Sequence, residues 1–486
     1  MNTEPVFLVI DVGTGGLKCL AFDVRGRVVF SGNSPINFSF NGPAIEFDAN
    51  SVWRDICLLT RSAAKHCSGK GLEIVSVSAT SMREGNVFYD KTGRELLAVP
   101  NLDYRASEES SKIQAEFADK IYSLSGHWPS PIFLLSRLSW LKIHDPKLFS
   151  NIHRVSMIND WVLFKFSGNL NSEPTNGCET ALFDLAKRRW SEELIKESGF
   201  DNHFFPEVRE CGTLIGTVSS EASLVSGLET SVSVVIGAAD TEAAVAGCGL
   251  FESGKVVAVA GTTTPVQAVT DSVVLDSIRR TWSCCHVLPN RWVVESNAGA
   301  TGLVFKWWAG IVGQDFSMLD SEVNANNLSP NTGTKVSIGT TVMNAKNPHP
   351  ISGRIEGVGP WTPRAAITLG ILQTNCFSVS ANLTQIEQVV GKRFEQLYFC
   401  GGSSKSSLWT GMQADVLGRP LVVFEEGEAT ARGASMLSAV AISKFRNLDE
   451  AAKSFLSRQR VVEPQPGASK KYAEAYEEWL RENKNN

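Results

Sequence analysis

The chain has 486 residues, 43% of them hydrophobic, which exceeds one ordinary core and fits two domains. Charged residues make up 20% and the formal net charge is -5, so the bulk charge carries no footprint for nucleic acid. Ten cysteines, with Cys284 and Cys285 adjacent and no CxxC pair at metal spacing, exclude a disulfide framework and read as reduced thiols in cores.

The first residues, MNTEPVFLVIDVG, have no basic leader, and their short apolar run stops at Asp11. This predicts a buried strand and no signal peptide. No apolar stretch reaches the ~18–20 residues that span a bilayer, so the expected compartment is the cytoplasm and no membrane partner is expected. After Val6–Val12 come Gly13-Thr14-Gly15-Gly16, a second apolar run over Leu17–Val24, the turn Arg25-Gly26 and Val28–Ser31. The pattern is a strand meander. No helix follows the glycines, which excludes the dinucleotide fingerprint.

Helices are predicted over Val52–Ala64, Glu108–Leu124 and Leu134–Ile143, the last stopped by Pro146. Ile74–Thr80 is a short strand ending in Ser81-Met82-Arg83-Glu84-Gly85. The basic run Lys187-Arg188-Arg189 reads as a solvated helix end. Val232–Gly237 is a buried strand that delivers Asp240, and a helix over Glu242–Gly247 follows. The strand–turn–strand pattern then recurs: Val256–Ala260, Gly261-Thr262-Thr263-Thr264, Val266–Val269. A duplicated lobe predicts that recurrence. Leu397–Cys400 is a strand, Gly401–Ser404 a turn, and Leu408–Leu417, Ala429–Ala441 and Tyr472–Glu482 are helices. The expected fold is α/β, with two lobes divided at 1–245 and 246–486, hinged near residues 240–255.

These segments meet the needs of phosphoryl transfer, which is mostly positioning and charge stabilisation. Gly13, Thr14 and Gly15 offer backbone N–H groups and a hydroxyl to phosphate oxygens. Asp11, at a strand end, is placed to anchor magnesium, and Lys18 to reach a phosphate. Gly261, Thr262 and Thr263 offer the same chemistry from the second lobe. Gly401 and Gly402 leave room for an adenosine. Small residues around Asp240 put one carboxylate into a cleft, where it can act as general base; the plain alternative is a helix N-cap. Arg83 and Glu84 can bind vicinal hydroxyls, with a surface ion pair as the alternative. Asp103 and Arg105 form a second such pair.

Order and spacing bring these motifs together. DVGTGGLKCLAFDVRG, GAADTEAAVAGCG, AVAGTTT and CGGSSKSSLWTGMQADVLGRPLVVFEEGEATARGASMLSAVA resemble the FGGY family of carbohydrate kinases, within the actin, hexokinase and Hsp70-like ATPase superfamily. The resemblance covers almost the whole chain. It implies two actin-like (ribonuclease H-like) lobes, with ATP and Mg2+ in a cleft between them. It assigns Asp240 as catalytic base and metal-associated, with Asp11 also at the metal. Thr14 and Thr262 become phosphate contacts, and Gly302, Lys306, Gly402 and Ser406 nucleotide contacts. Arg83 and Glu84, with Asp103, are assigned to substrate.

Three positions depart from the family pattern. Ile132 stands where a glycerol kinase carries tyrosine, Cys400 where the adenosine motif opens on glycine, and Thr241 where Gln or Asn is usual. SATSMREGNVFYDKTGRELLAVPNLDYRA resembles the autoinducer-2 kinases. The implied acceptor is a small sugar or polyol, with the linear form of autoinducer-2 first and glycerol, erythritol, xylulose or ribulose as alternatives. A homodimer is compatible with this reading. An actin- or chaperone-like ATPase is the alternative from another class.

Overall fold

The computed structural model describes residues 3–326, 328, 333–346, 353–424, 427–456 and 459–483. Two mixed sheets organise them. The first runs in the order Leu214–Thr217, Ser233–Ala239, Leu72–Ser81, Glu4–Gly13, Gly16–Asp23, Val28–Ser34. Its last three strands are the predicted antiparallel meander, and Glu4–Gly13, Leu72–Ser81 and Ser233–Ala239 are parallel neighbours. Residues 6–10 are buried on both faces, which is why that strand reads as an unbroken apolar run.

The second sheet runs Trp282–Cys285, Trp292–Asn297, Pro265–Thr270, Val256–Val259, Leu397–Cys400, Leu421–Phe424, Gln459–Val462. Again a meander is followed by two parallel strands and an antiparallel edge. The first sheet shows the same series, so the recurrence seen in the sequence is a repeat of topology.

The lobes join through two helices of small residues, Asp240–Gly247 and Ala429–Ala441. A Cβ on Gly247 would lie 1.9 Å from the Ala429 carbonyl oxygen, and one on Gly433 1.9 Å from that of Ala243. Backbone touches backbone there, and only glycine permits it. Ala429–Ala441 comes from the second half of the chain but packs on the Glu4–Gly13, Leu72–Ser81 and Ser233–Ala239 strands. Phe455 continues this contact against Phe7, with ring centroids 6.2 Å apart. The strands of the first sheet end at Ala239 and those of the second begin at Val256, while Ala429–Ala441 and Phe455 pack against the first sheet.

Two local expectations are corrected. Pro146 does not simply stop a helix. It opens Pro146–Asn151 at the first turn, where a missing N–H costs nothing, and Asp145 caps Leu148 N at 2.9 Å. Lys187-Arg188-Arg189 is not a helix end. Arg188 is buried and paired with Glu210 at 2.6 Å. All ten cysteines are free thiols.

Candidate active site

A cavity of about 920 Å³ lies between the sheets. Gly13, Thr14, Gly15 and Lys18 line one side, and Gly261, Thr262, Thr263, Gly401 and Gly402 the other. Asp11, Arg83, Glu84 and Asp240 line the same cavity. So does Ile132, with Tyr104, Trp282 and Met343. Segments separated by almost the whole chain converge here because both meanders aim their first turns at the gap.

Four expected residues are not on this wall. Gly302 packs against the second phosphate turn, where a Cβ would lie 2.1 Å from the Gly261 oxygen. Lys306 is exposed on the helix Thr301–Val312. Ser406 caps Ser407–Leu417 through Trp409 N and donates to Asp320 at 2.5 Å. Asp103 is wholly buried and accepts from Ile45 N at 3.0 Å and Arg105 Nε at 2.8 Å.

Asp103 acts at one remove. Its Oδ2 lies 3.3 Å from Arg137 Nε. Arg137 in turn donates to the Glu84 carbonyl, to Asn86 Oδ1 at 2.8 Å and to the Pro100 carbonyl at 2.6 Å. This fixes the turn after Leu72–Ser81, where Glu84 holds the left-handed region at φ 59°. Such a conformation in a non-glycine residue needs surrounding support.

Asp11 Oδ1 is buried with no hydrogen-bond partner among the described residues. Burial, reinforced by the charge of Asp240 and opposed by Lys18, pushes the Asp11 carboxyl up to about 7. Asp240 is also raised by burial, with Arg83 opposing. Two carboxylates that repel each other, one with an orphaned oxygen, fit a divalent cation. Asp240 is not the N-cap. Ala239 holds that position, and Asp240 is the first helical residue, accepting from Thr241 Oγ1 at 3.2 Å. Lys18 Nζ lies 2.8 Å from Glu428, an ion pair across the cleft mouth. Thr14 Oγ1 donates to Asn101 Oδ1 at 3.1 Å.

Arg83 and Glu84 do not form a surface pair. Both are buried, 4.0 Å apart. Arg83 Nη1 and Nη2 donate to Glu295 at 2.6 and 2.8 Å, and Nη1 also to Glu179 at 3.1 Å. Gln267 Nε2 bridges Glu242 and Glu295, at 2.7 Å each. His127 Nε2 lies 2.9 Å from Glu179 Oε2. Burial opposes the charge of His127, but Glu179 outweighs it and lifts the imidazole to about 9. Burial pushes the Glu84 carboxyl up to about 8 against the pull of Arg83.

Sequence reasoning missed His127, Glu179, Glu242, Gln267, Trp282 and Glu295. One signal was available. Glu295 directly follows Val293-Val294, and Gln267 stands between Val266 and Ala268. A polar group inside a strand buried on both faces must have a partner.

No helix of the described residues is long and apolar enough to cross a membrane. A curated relative, the autoinducer-2 kinase of Klebsiella pneumoniae, is 29% identical over 97% of this chain and 92% of its own length. The glycerol kinase of Plasmodium falciparum with ADP shares the fold, with a TM-score of 0.85 at 19% identity over 99% of this chain and 98% of that one. So does the gluconate kinase of Lactobacillus acidophilus, with a TM-score of 0.87 at 16% identity over 99% and 97%. The N-terminal domain model of the FGGY family of carbohydrate kinases matches residues 6–247, and the C-terminal domain model residues 256–442. The chain therefore belongs to the FGGY family of carbohydrate kinases, which implies ATP as its phosphoryl donor.

Proposed function

We propose that this kinase transfers the γ-phosphoryl group of ATP to a hydroxyl of a small sugar or polyol held beside Arg83, Glu84 and Asp240. One observation carries the reading: Asp240 stands on the wall of one cavity with Asp11, both Gly-Thr turns and the Arg83-Glu84 pair. The triphosphate lies between residues 13–16 and 261–263, with the adenosine towards Gly401 and Gly402. Mg2+ held by Asp11 and Asp240 would supply positive charge to the phosphate oxygens.

The acceptor hydroxyl is a weak nucleophile at neutral pH. Asp240 orients it and takes its proton as the new O–P bond forms. The bond from the γ-phosphorus to the bridging oxygen breaks, and ADP leaves with that electron pair. The raised carboxyl of Asp240 suits a base that must hold a proton after transfer.

Autoinducer-2 is the acceptor we place first, in line with the curated relative of that name. Glycerol, erythritol, xylulose and ribulose are the alternatives. The test is a screen of these acceptors with MgATP, reading ADP release and product mass. Phosphorylation of one or more is expected. ATP binding without any acceptor-dependent turnover would contradict the reading.

A further inference from the structure

Arginine is the residue most suited to clamp a carboxylate, through two parallel N–H···O bonds. Arg83 is the wall arginine beside Glu84 and Asp240, so an anionic acceptor would seek it. Its fork is already filled. Glu295, which reaches across from the second sheet, takes Nη1 at 2.6 Å and Nη2 at 2.8 Å, and Glu179 takes Nη1 at 3.1 Å. Glu295 is itself held in place by Gln267 at 2.7 Å. His127, behind Arg83, is engaged by Glu179 at 2.9 Å.

We propose that Glu295 is a specificity-determining residue: by occupying the Arg83 fork from the opposite lobe, it makes the acceptor pocket select uncharged polyhydroxy compounds over carboxylates of the same carbon chain. The inference rests on the reading of this wall as the acceptor site. A hydroxyl needs only what remains: the Arg83 Nε–H as donor, and Glu84 and Asp240 as acceptors. A carboxylate would have to displace Glu295 or lie in the pocket with both Arg83 Nη groups already taken. Buried, uncompensated negative charge is strongly disfavoured. The family fold alone does not set this choice, because the charge of the pocket comes from side chains and not from its strands.

The test uses matched pairs: glycerol with glycerate, erythritol with erythronate, and xylulose with xylonate. The readout is kcat/KM at saturating MgATP for the wild type and Glu295→Gln. The wild type is expected to prefer the uncharged member of any active pair by ~100-fold or more, since rejection here comes from unpaired buried charge. Glu295→Gln keeps the shape and frees part of the fork. It should narrow that ratio by ~10-fold or more, mainly by lowering KM for the carboxylate. A wild-type ratio near one, or a ratio unmoved in a folded, ATP-binding Glu295→Gln, overturns the proposal. If Glu295→Gln does not fold, the wild-type ratio decides, with Glu179→Gln expected to move it in the same direction by less. Turnover of no compound in either set and none of autoinducer-2, with ATP still bound, would instead overturn the acceptor-site reading, and this inference with it.

Discussion

Arg83 and Glu84 are neighbours in sequence under opposite constraints. Arg83 is locked by acids from both lobes, while the Glu84 side chain faces the cavity and its carbonyl is gripped by Arg137. Truncation should therefore act on the acceptor and not on ATP. Glu84→Ala should raise the acceptor KM by ~10–100-fold, the loss of one charge-assisted hydrogen bond, and leave the ATP KM within about twofold, whereas Arg83→Ala should raise the acceptor KM and also lower stability, because Glu179 and Glu295 lose their buried partner. Steady-state kinetics with each substrate varied in turn checks this; an equal rise in both constants would contradict it.

Asp11 carries a stability signature as well as a chemical one. Its carboxyl ionises near 7 in the folded chain, against 3.8 ordinarily. The proton is thus held more tightly in the folded state. Its stabilising contribution is full below the ordinary value, declines as pH rises between the two, and is gone above about 7. Asp11→Asn should raise the melting temperature of metal-free protein at pH 8 and change it little at pH 4, while reducing the Mg2+ dependence of ATP binding. Thermal denaturation at both pH values is the measurement. A lower melting temperature at pH 8 would show that Asp11 is already well paired.

At the scale of elements, the chain announced its strands and turns but not its buried charges. Asp11 and Asp240 were legible because each follows a run of apolar or small residues and precedes a break in it. The pairings of Glu295 and Glu179 were not, because their partner Arg83 is remote in sequence and reaches them only once the sheets face each other, and Gln267 meets Glu242 and Glu295 only in the same fold. Asp103 was read as a substrate contact because an Asp beside an Arg looks alike at a cavity wall and behind one. The N-cap position foreseen for Asp240 is held by Ala239, since the strand runs to Ala239, two residues beyond the expected end at Gly237.

Two glycines test this level. No atom lies within 4 Å of a Cβ built on Gly402, which lines the cavity. Gly402→Leu should fold normally and raise the ATP KM more than the acceptor KM. An unchanged ATP constant would put the adenosine elsewhere. Gly433→Ala has no such room. It should force the helices Asp240–Gly247 and Ala429–Ala441 apart and cost about 1–3 kcal/mol, an overpacking penalty read by chemical denaturation. No loss of stability would mean that the crossing yields easily.

At the scale of the molecule, two sheets of matching topology bring two Gly-Thr turns to one gap. The helix Asp240–Gly247 starts at that gap and runs directly into the contact between lobes. Asp240 thus joins the first sheet, the helix crossing and the cavity. Thr430 Oγ1, from the opposite helix, donates to its carbonyl at 3.2 Å. The claim that this residue is the base is therefore also a claim about why the lobes meet where they do. Asp240→Asn tests it most directly, since size and hydrogen-bonding shape are kept and only the proton-accepting charge is lost. With the best acceptor from the screen, turnover should fall by ~10²-fold or more, the usual scale of general-base help, with the affinity for metal-free ATP by calorimetry close to wild type. Near-normal turnover in Asp240→Asn would contradict the account and move the search for the base to Glu84.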